Sequence, residues 1–125
     1  MPEIADELVA VSLTVDGDVV LRYGTVAEDF NPIHFDDAAA RTLGLPGAIA
    51  HGMIAGALVN RMLAANLGPD WLRAGRLELK FVRPTPVGAT VTARGRVRGR
   101  QPLIIDVEVV AEDGSALIVG TAVPA

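Results

Sequence analysis

The alternation of apolar and polar residues changes period once along this chain, and the change divides it in two. Across residues 50–67 the pattern is apolar nearly all the way round, with Met53, Ile54, Ala57, Leu58, Met62 and Leu63, and Gly68 follows. A helix without a polar stripe belongs inside a domain. After Trp71 the period becomes two: Leu77, Leu79 and Phe81 alternate with Arg76, Glu78 and Lys80, then Val91, Ala93, Gly95 and Val97 alternate with Thr92, Arg94, Arg96 and Arg98. These are half-buried antiparallel strands. Two more strands fit residues 103–111 and 116–123, joined by Glu112-Asp113-Gly114-Ser115, whose Asp-Gly pair favours a tight hairpin.

The first half of the chain is less regular. Residues 8–14 are rich in Val and Leu and predict a first strand, closed by Asp16-Gly17-Asp18, good turn or helix-entry chemistry. Over residues 19–29 two signals compete. Val19-Val20-Leu21 favours a strand, whereas Val19, Tyr23 and Val26 fall at i, i+4 and i+7; a short helix is the reading adopted. Asn31-Pro32 must end it, because Pro32 has no amide proton and pushes Asn31 out of the α region. A second short helix fits residues 36–43, with acidic residues in its first turn and Gly44 just beyond. No repeat or linker interrupts the pattern, so residues 1–125 read as one domain. One central apolar helix with about five strands, most of them after it, predicts an α+β hot-dog fold: a curved antiparallel sheet wrapped around a helix.

Composition narrows the function. Half of the 125 residues are hydrophobic and 21% are charged, enough to bury roughly two-thirds of the unfolded surface and leave apolar surface for a second subunit. A net charge of −4 gives no general attraction to phosphate backbones and argues against nucleic acid as a partner. The absence of cysteine removes disulfides, thiolate nucleophiles and cysteine zinc sites together. Acidic residues near the N-terminus do not resemble an export signal, and His51, Asn60, Arg61 and Asn66 interrupt the longest apolar stretch. No membrane span and a cytoplasmic location are therefore expected.

Both histidines fall in two short runs, Glu28-Asp29-Phe30-Asn31-Pro32-Ile33-His34-Phe35-Asp36 and Ala50-His51-Gly52-Met53. These resemble the MaoC-like family of (R)-specific enoyl-CoA hydratases, whose motif reads Asp-x-Asn-Pro-(Ile/Leu/Val)-His, followed some fifteen residues later by His-Gly-Met. The likeness extends more loosely over nearly the whole chain, including the Arg83-Pro84-Thr85-Pro86-Val87-Gly88 turn. It implies the hot-dog fold, with Asp29 and His34 as the catalytic pair, Gly52 offering its amide to the thioester carbonyl, and Asn31 with Pro32 holding the loop. It departs at Glu28, where the family often has Gly.

The residues support that chemistry independently. Hydrating an α,β-unsaturated thioester needs a base to activate water, an acid to protonate C2, and stabilisation of enolate charge. Asp29 and His34 lie five residues apart with a proline between them, so they share no helix face, yet a loop that doubles back brings both to one water. Syn addition follows if that water supplies both OH and H. Gly52 stands at the positive end of the apolar helix without a side chain to obstruct a ligand.

The remaining signals have plainer readings. His51 is expected to cap or brace the helix start, and Gly52 with Gly56 to let a strand approach the helix. Arg94, Arg96, Arg98 and Arg100 share one parity and read as a solvated sheet face, with coenzyme A phosphates the alternative. The carboxylates and histidines match no metal-ligand spacing, no Ser stands in a nucleophile elbow, and no phosphate-loop or dinucleotide fingerprint occurs. No cofactor is expected beyond the coenzyme A or carrier thioester of the substrate. Met53, Ala57, Asn60 and Leu63 are candidates for an acyl pocket. A homodimer is expected, and the rival functions are a hot-dog thioesterase and a non-catalytic acyl-binding subunit of a heterodimer.

Overall fold

A computed structural model of the chain describes residues 4–124. Its strands form one antiparallel sheet in the order β1-β3-β4-β5-β2: β1 (Val11–Thr14), β2 (Arg76–Phe81), β3 (Thr90–Arg100), β4 (Leu103–Ala111) and β5 (Ala116–Val123). Between β1 and β2 lie α1 (Gly17–Ala27), a single 3₁₀ turn (Pro32–His34), α2 (Asp37–Thr42), α3 (Gly52–Leu67) and α4 (Asp70–Ala74).

Register explains why α3 lies where it does. Val91, Ala93, Gly95 and Val97 pair with Ala111, Val109, Val107 and Ile105, so one parity of β3 and β4 forms a continuous apolar face. On β5 and β2 that face continues through Ile118, Gly120 and Ala122 opposite Phe81, Leu79 and Leu77. α3 packs against it with Ile54, Ala55, Leu58, Val59, Met62 and Leu63, each at most 5% exposed. Register shifts near Val97 and Val109 add the local bend and twist that a sheet needs to curl round a helix. The expected hot-dog architecture is the one observed.

The helices carry the caps their sequences suggest. The Asp16 side chain accepts from the Val19 amide at the start of α1, and the Asp36 side chain accepts from Ala38 and Ala39 at the start of α2. Between β4 and β5, Asp113 Oδ1 accepts from the Ser115 hydroxyl and amide, bonds that hold its carboxyl below the usual carboxylate range. Gly114 takes the positive φ that the turn requires.

Two expectations need correction. The predicted first strand, residues 8–14, is broken: Val9 turns away to Asn66, whose side-chain oxygen accepts the Val9 amide at 2.9 Å and whose nitrogen donates to Val9 O at 3.0 Å. Asn66 thus imitates a neighbouring strand, while Leu8 rejoins the sheet by donating to Gly95 O. The interruption in the apolar helix is a structural clamp. Asn66→Ala should lower unfolding stability by about 1 kcal/mol, because the Val9 peptide loses both partners to water; chemical denaturation checks this. The second correction is α4. The expected alternation does begin at Arg76, but ahead of it Trp71 lies within a short helix that the pattern does not suggest, buried, with Nε1–H donating to Asn60 Oδ1 at 3.1 Å.

The arginines follow the solvated reading. Arg98 meets Asp106 at 3.0 Å and Arg94 approaches Glu108 at 4.0 Å on the face away from α3, while the register shift at Val97/Gly99 sets Arg100 opposite Leu103, where it meets Asp6 at 2.7 Å. Carboxylates already occupy this stripe, so it offers little net positive charge to a phosphate.

Candidate active site

The site is built on the loop joining α1 to α2. α1 ends at Glu28, a non-glycine residue in the left-handed region with φ 54° and ψ 40°, and this reversal swings Asp29 back over the helix, where its amide donates to Gly24 O at 2.9 Å. Left-handed geometry at a helix end suits glycine. Glu28→Gly should therefore stabilise the protein by roughly 0.5–1 kcal/mol, measured as a rise in melting temperature, with the loop path unchanged.

Asn31 and Pro32 then knit the loop. Asn31 donates its amide to Asp29 Oδ1 and accepts from the Ile33 amide, each at 3.2 Å, while its carbonyl accepts from His34 N at 3.0 Å. Pro32 opens the 3₁₀ turn, and its carbonyl accepts from the amides of Phe35 and Asp36. These bonds use Oδ1 of Asp29 and leave Oδ2 facing inward.

His34, 9% exposed, is fixed by Ile49 O, 2.7 Å from Nδ1. A carbonyl only accepts, so Nδ1 carries the proton and Nε2 presents a lone pair. That Nε2 stands 3.8 Å from Asp29 Oδ2, whose side chain is 48% exposed. The gap is too long for a direct hydrogen bond, yet one water about 2.8 Å from each atom spans it. The structure thus brings together the two residues singled out in the sequence.

Gly52 is the first residue of α3. Its amide belongs to the unpaired first turn and makes no hydrogen bond among the described residues. A Cβ here would meet the Phe81 ring at 3.3 Å, so Gly52 does admit β2 close to α3, whereas one at Gly56 would meet Met53 Cε at 3.3 Å and stand at ordinary contact distance, 3.6 Å, from Leu79 Cδ1.

Two residues of the site were not counted in it from sequence. His51 occupies the N-cap position of α3 but makes no side-chain cap bond; its ring stacks on His34 at a centroid distance of 3.8 Å, and Nε2 lies 3.0 Å from the carbonyl of Asp29. Gly24 lies beneath them, because a Cβ there would meet Asp29 O at 2.9 Å, Phe35 Cζ at 3.0 Å and His51 Cε1 at 3.5 Å. Their signals were faint: a histidine beside a helix-opening glycine, and a glycine inside a helical pattern.

Asp29, His34 and His51 bring one donor atom each within 4.8 Å of one another, a spread that suits a metal ion. Yet Nε2 of His51 is already engaged by the Asp29 carbonyl, and the imidazoles lie face to face at 27°, whereas two histidines on one ion aim their ring planes at it. The arrangement favours a hydrogen-bonded water over coordination.

The four acyl-pocket candidates lie at different depths along α3. Leu63 is fully buried in the core and Asn60 is engaged by Trp71, while Met53 and Ala57 are exposed on the outer side of α3. A cavity of 810 Å³, bordered by Glu7, Leu8, Arg94, Asp106 and Thr121, touches none of them.

Comparison with known proteins places this geometry. The MaoC like domain matches residues 2–116. An (R)-specific enoyl-CoA hydratase of Aeromonas caviae is 32% identical over 109 residues, spanning 83% of this chain and 81% of its own. 3-hydroxyacyl-thioester dehydratase X of Mycobacterium tuberculosis is 38% identical over 71 residues, which are 57% of this chain but only 24% of that longer protein. A solved (R)-hydratase from A. caviae superposes with a TM-score of 0.82 at 26% identity, covering 98% of this chain and 95% of that one. The chain belongs to the MaoC-like domain family.

Proposed function

We propose that this chain is an (R)-specific hydratase of trans-2-enoyl thioesters, and by microscopic reversibility a dehydratase of (R)-3-hydroxyacyl thioesters. The observation that carries this reading is the 3.8 Å gap between Asp29 Oδ2 and His34 Nε2. A water held there donates one hydrogen to each acceptor and turns a lone pair toward C3 of the substrate. As the C3–O bond forms, the C2=C3 π electrons move onto the thioester oxygen as an enolate. The Gly52 amide, at the positive end of α3, stabilises that charge. The pair takes one proton from the water and returns it to C2, the enolate collapses, and one water has supplied both new bonds on one face. Asn31 and Pro32 serve this step by holding the loop.

A thioesterase would aim the water at the carbonyl carbon and release a thiol. The names carried by the relatives support hydration. The assay is direct: purified protein with crotonyl-CoA should remove the enoyl absorbance without releasing free thiol, whereas thiol release equal to that loss would overturn the reading.

The same site supports a homodimer. Among the described residues β2 is an edge strand paired only with β5, and Phe81, Val82 and Met53 are 48%, 41% and 49% exposed beside the Gly52 end of α3. A second copy over this surface would wall in an acyl chain and bury apolar groups that one protomer leaves in water. Light scattering should give twice the 13.0 kDa chain mass. The substrate, a coenzyme A or carrier-protein thioester, needs no further cofactor in this scheme. No helix among the described residues is long and apolar enough to cross a membrane, and a chain without cysteine suits the reducing cytoplasm.

A further inference from the structure

We propose that His51 is a positioning residue that locks Asp29 to His34, holding the first by its peptide and the second by its ring face. The inference rests on the reading of Asp29 and His34 as the acid/base pair. His51 is 4% exposed, and its Nε2 lies 3.0 Å from the Asp29 carbonyl, which only accepts, so Nε2 carries the proton and donates it. Its ring lies against the His34 ring with centroids 3.8 Å apart. The Tyr23 ring also packs against it, with centroids 4.9 Å apart and the planes tilted by 52°.

One side chain therefore contacts both halves of the pair through different parts of itself. The edge fixes where the Asp29 backbone passes, and hence where Oδ2 sits. The face, with the Ile49 carbonyl, fixes the rotation of His34 about its side-chain bonds, and hence where Nε2 points. The width of the gap that must hold the water is the difference between those two placements, so it depends on His51 from both ends.

His51 exchanges no proton with substrate in this arrangement. Its Nε2–H is committed to the Asp29 carbonyl, and Nδ1 is buried with no hydrogen-bond partner among the described residues. A neutral ring with one donor and one flat face is what the two contacts require.

Two substitutions separate the contacts. His51→Phe keeps a flat ring and loses the donor; His51→Gln keeps a donor and loses the face. Each should lower kcat for crotonyl-CoA hydration by about 10–100-fold, the size of effect that a displacement of about 1 Å has on a reacting group, with KM changed less than about threefold. Wild-type kcat in either folded variant would overturn the inference while leaving the pair intact, and so would a rise in KM without a fall in kcat. Wild-type turnover in Asp29→Asn would remove the pair itself, and the role of His51 with it. If neither variant folds, ¹⁵N imidazole spectra of the wild-type protein decide: His51 as the Nε2–H tautomer with a slowly exchanging proton is expected, and the Nδ1–H tautomer would overturn the inference.

Discussion

Asp29→Asn should reduce kcat for enoyl-thioester hydration by about 10³-fold while leaving the melting temperature within a degree or two of wild type. The substitution is nearly isosteric, and Asn keeps an oxygen able to accept from the Asn31 amide, so the loop retains its 3.2 Å brace. Its other terminal atom becomes an amide nitrogen facing His34 Nε2 across the 3.8 Å gap. That nitrogen donates and does not accept, so the water loses one of its two acceptors, and proton transfer by a positioned group contributes typically about 10²–10⁴-fold. The Asp29 side chain is half in solvent, which is why folding should hardly register the change. A large loss of melting temperature accompanying the loss of rate would show that Asp29 is structural instead.

Gly120→Ala should have the largest effect on folding. Gly120 lies on β5 opposite Leu79 of β2, and a Cβ there would stand 2.1 Å from the Glu78 carbonyl oxygen and 2.9 Å from Leu79 Cδ2. The obstacle at 2.1 Å is backbone, which cannot rotate aside, so the strands must part. β2 has no other strand beside it among the described residues. The expected cost is about 3 kcal/mol, or roughly 10 °C in melting temperature for a domain of this size, measured by scanning calorimetry. Gly95 provides the contrast. Its Cβ would meet the end of the Leu8 side chain at 2.7 Å, and Leu8 can turn, so Gly95→Ala should cost clearly less.

Elements enclosed by strong punctuation were legible from sequence alone. β4 and β5 run to the residues expected because Asp113-Gly114 closes the hairpin between them and period-two alternation needs no distant partner to be read. The α1 reading, chosen over a strand, is observed at Gly17–Ala27, where the Asp16 cap decided between competing propensities. β1 was read too long because its interruption is made by Asn66, far away in sequence, and no local pattern reveals a side chain that substitutes for a strand. The acyl-pocket candidates lie at different depths for a related reason. Hydrophobic phase places residues on a helix, but it does not say which face the sheet covers; Leu63 therefore went to the core and Met53 to the surface.

The site was legible in its chemistry and less so in its supports. Asp29, His34 and Gly52 were nominated by the resemblance of their two runs to the MaoC-like motif, and a bent loop joining the first two follows from Asn31-Pro32. That Glu28 makes the bend by entering left-handed space was not visible, since Glu has no preference for it. His51 was read as a helix brace because adjacency to Gly52 is all that sequence shows; its contact with Asp29 spans 22 positions and depends on the tertiary path.

The central claim is that a single water, held between Asp29 Oδ2 and His34 Nε2, supplies both the hydroxyl and the new hydrogen. Hydration of crotonyl-CoA in D₂O, followed by NMR of the product, tests it most directly. The account predicts (R)-3-hydroxybutyryl-CoA with one deuterium at C2, on the face that carries the oxygen; deuterium on the opposite face, or on both faces equally, would contradict it.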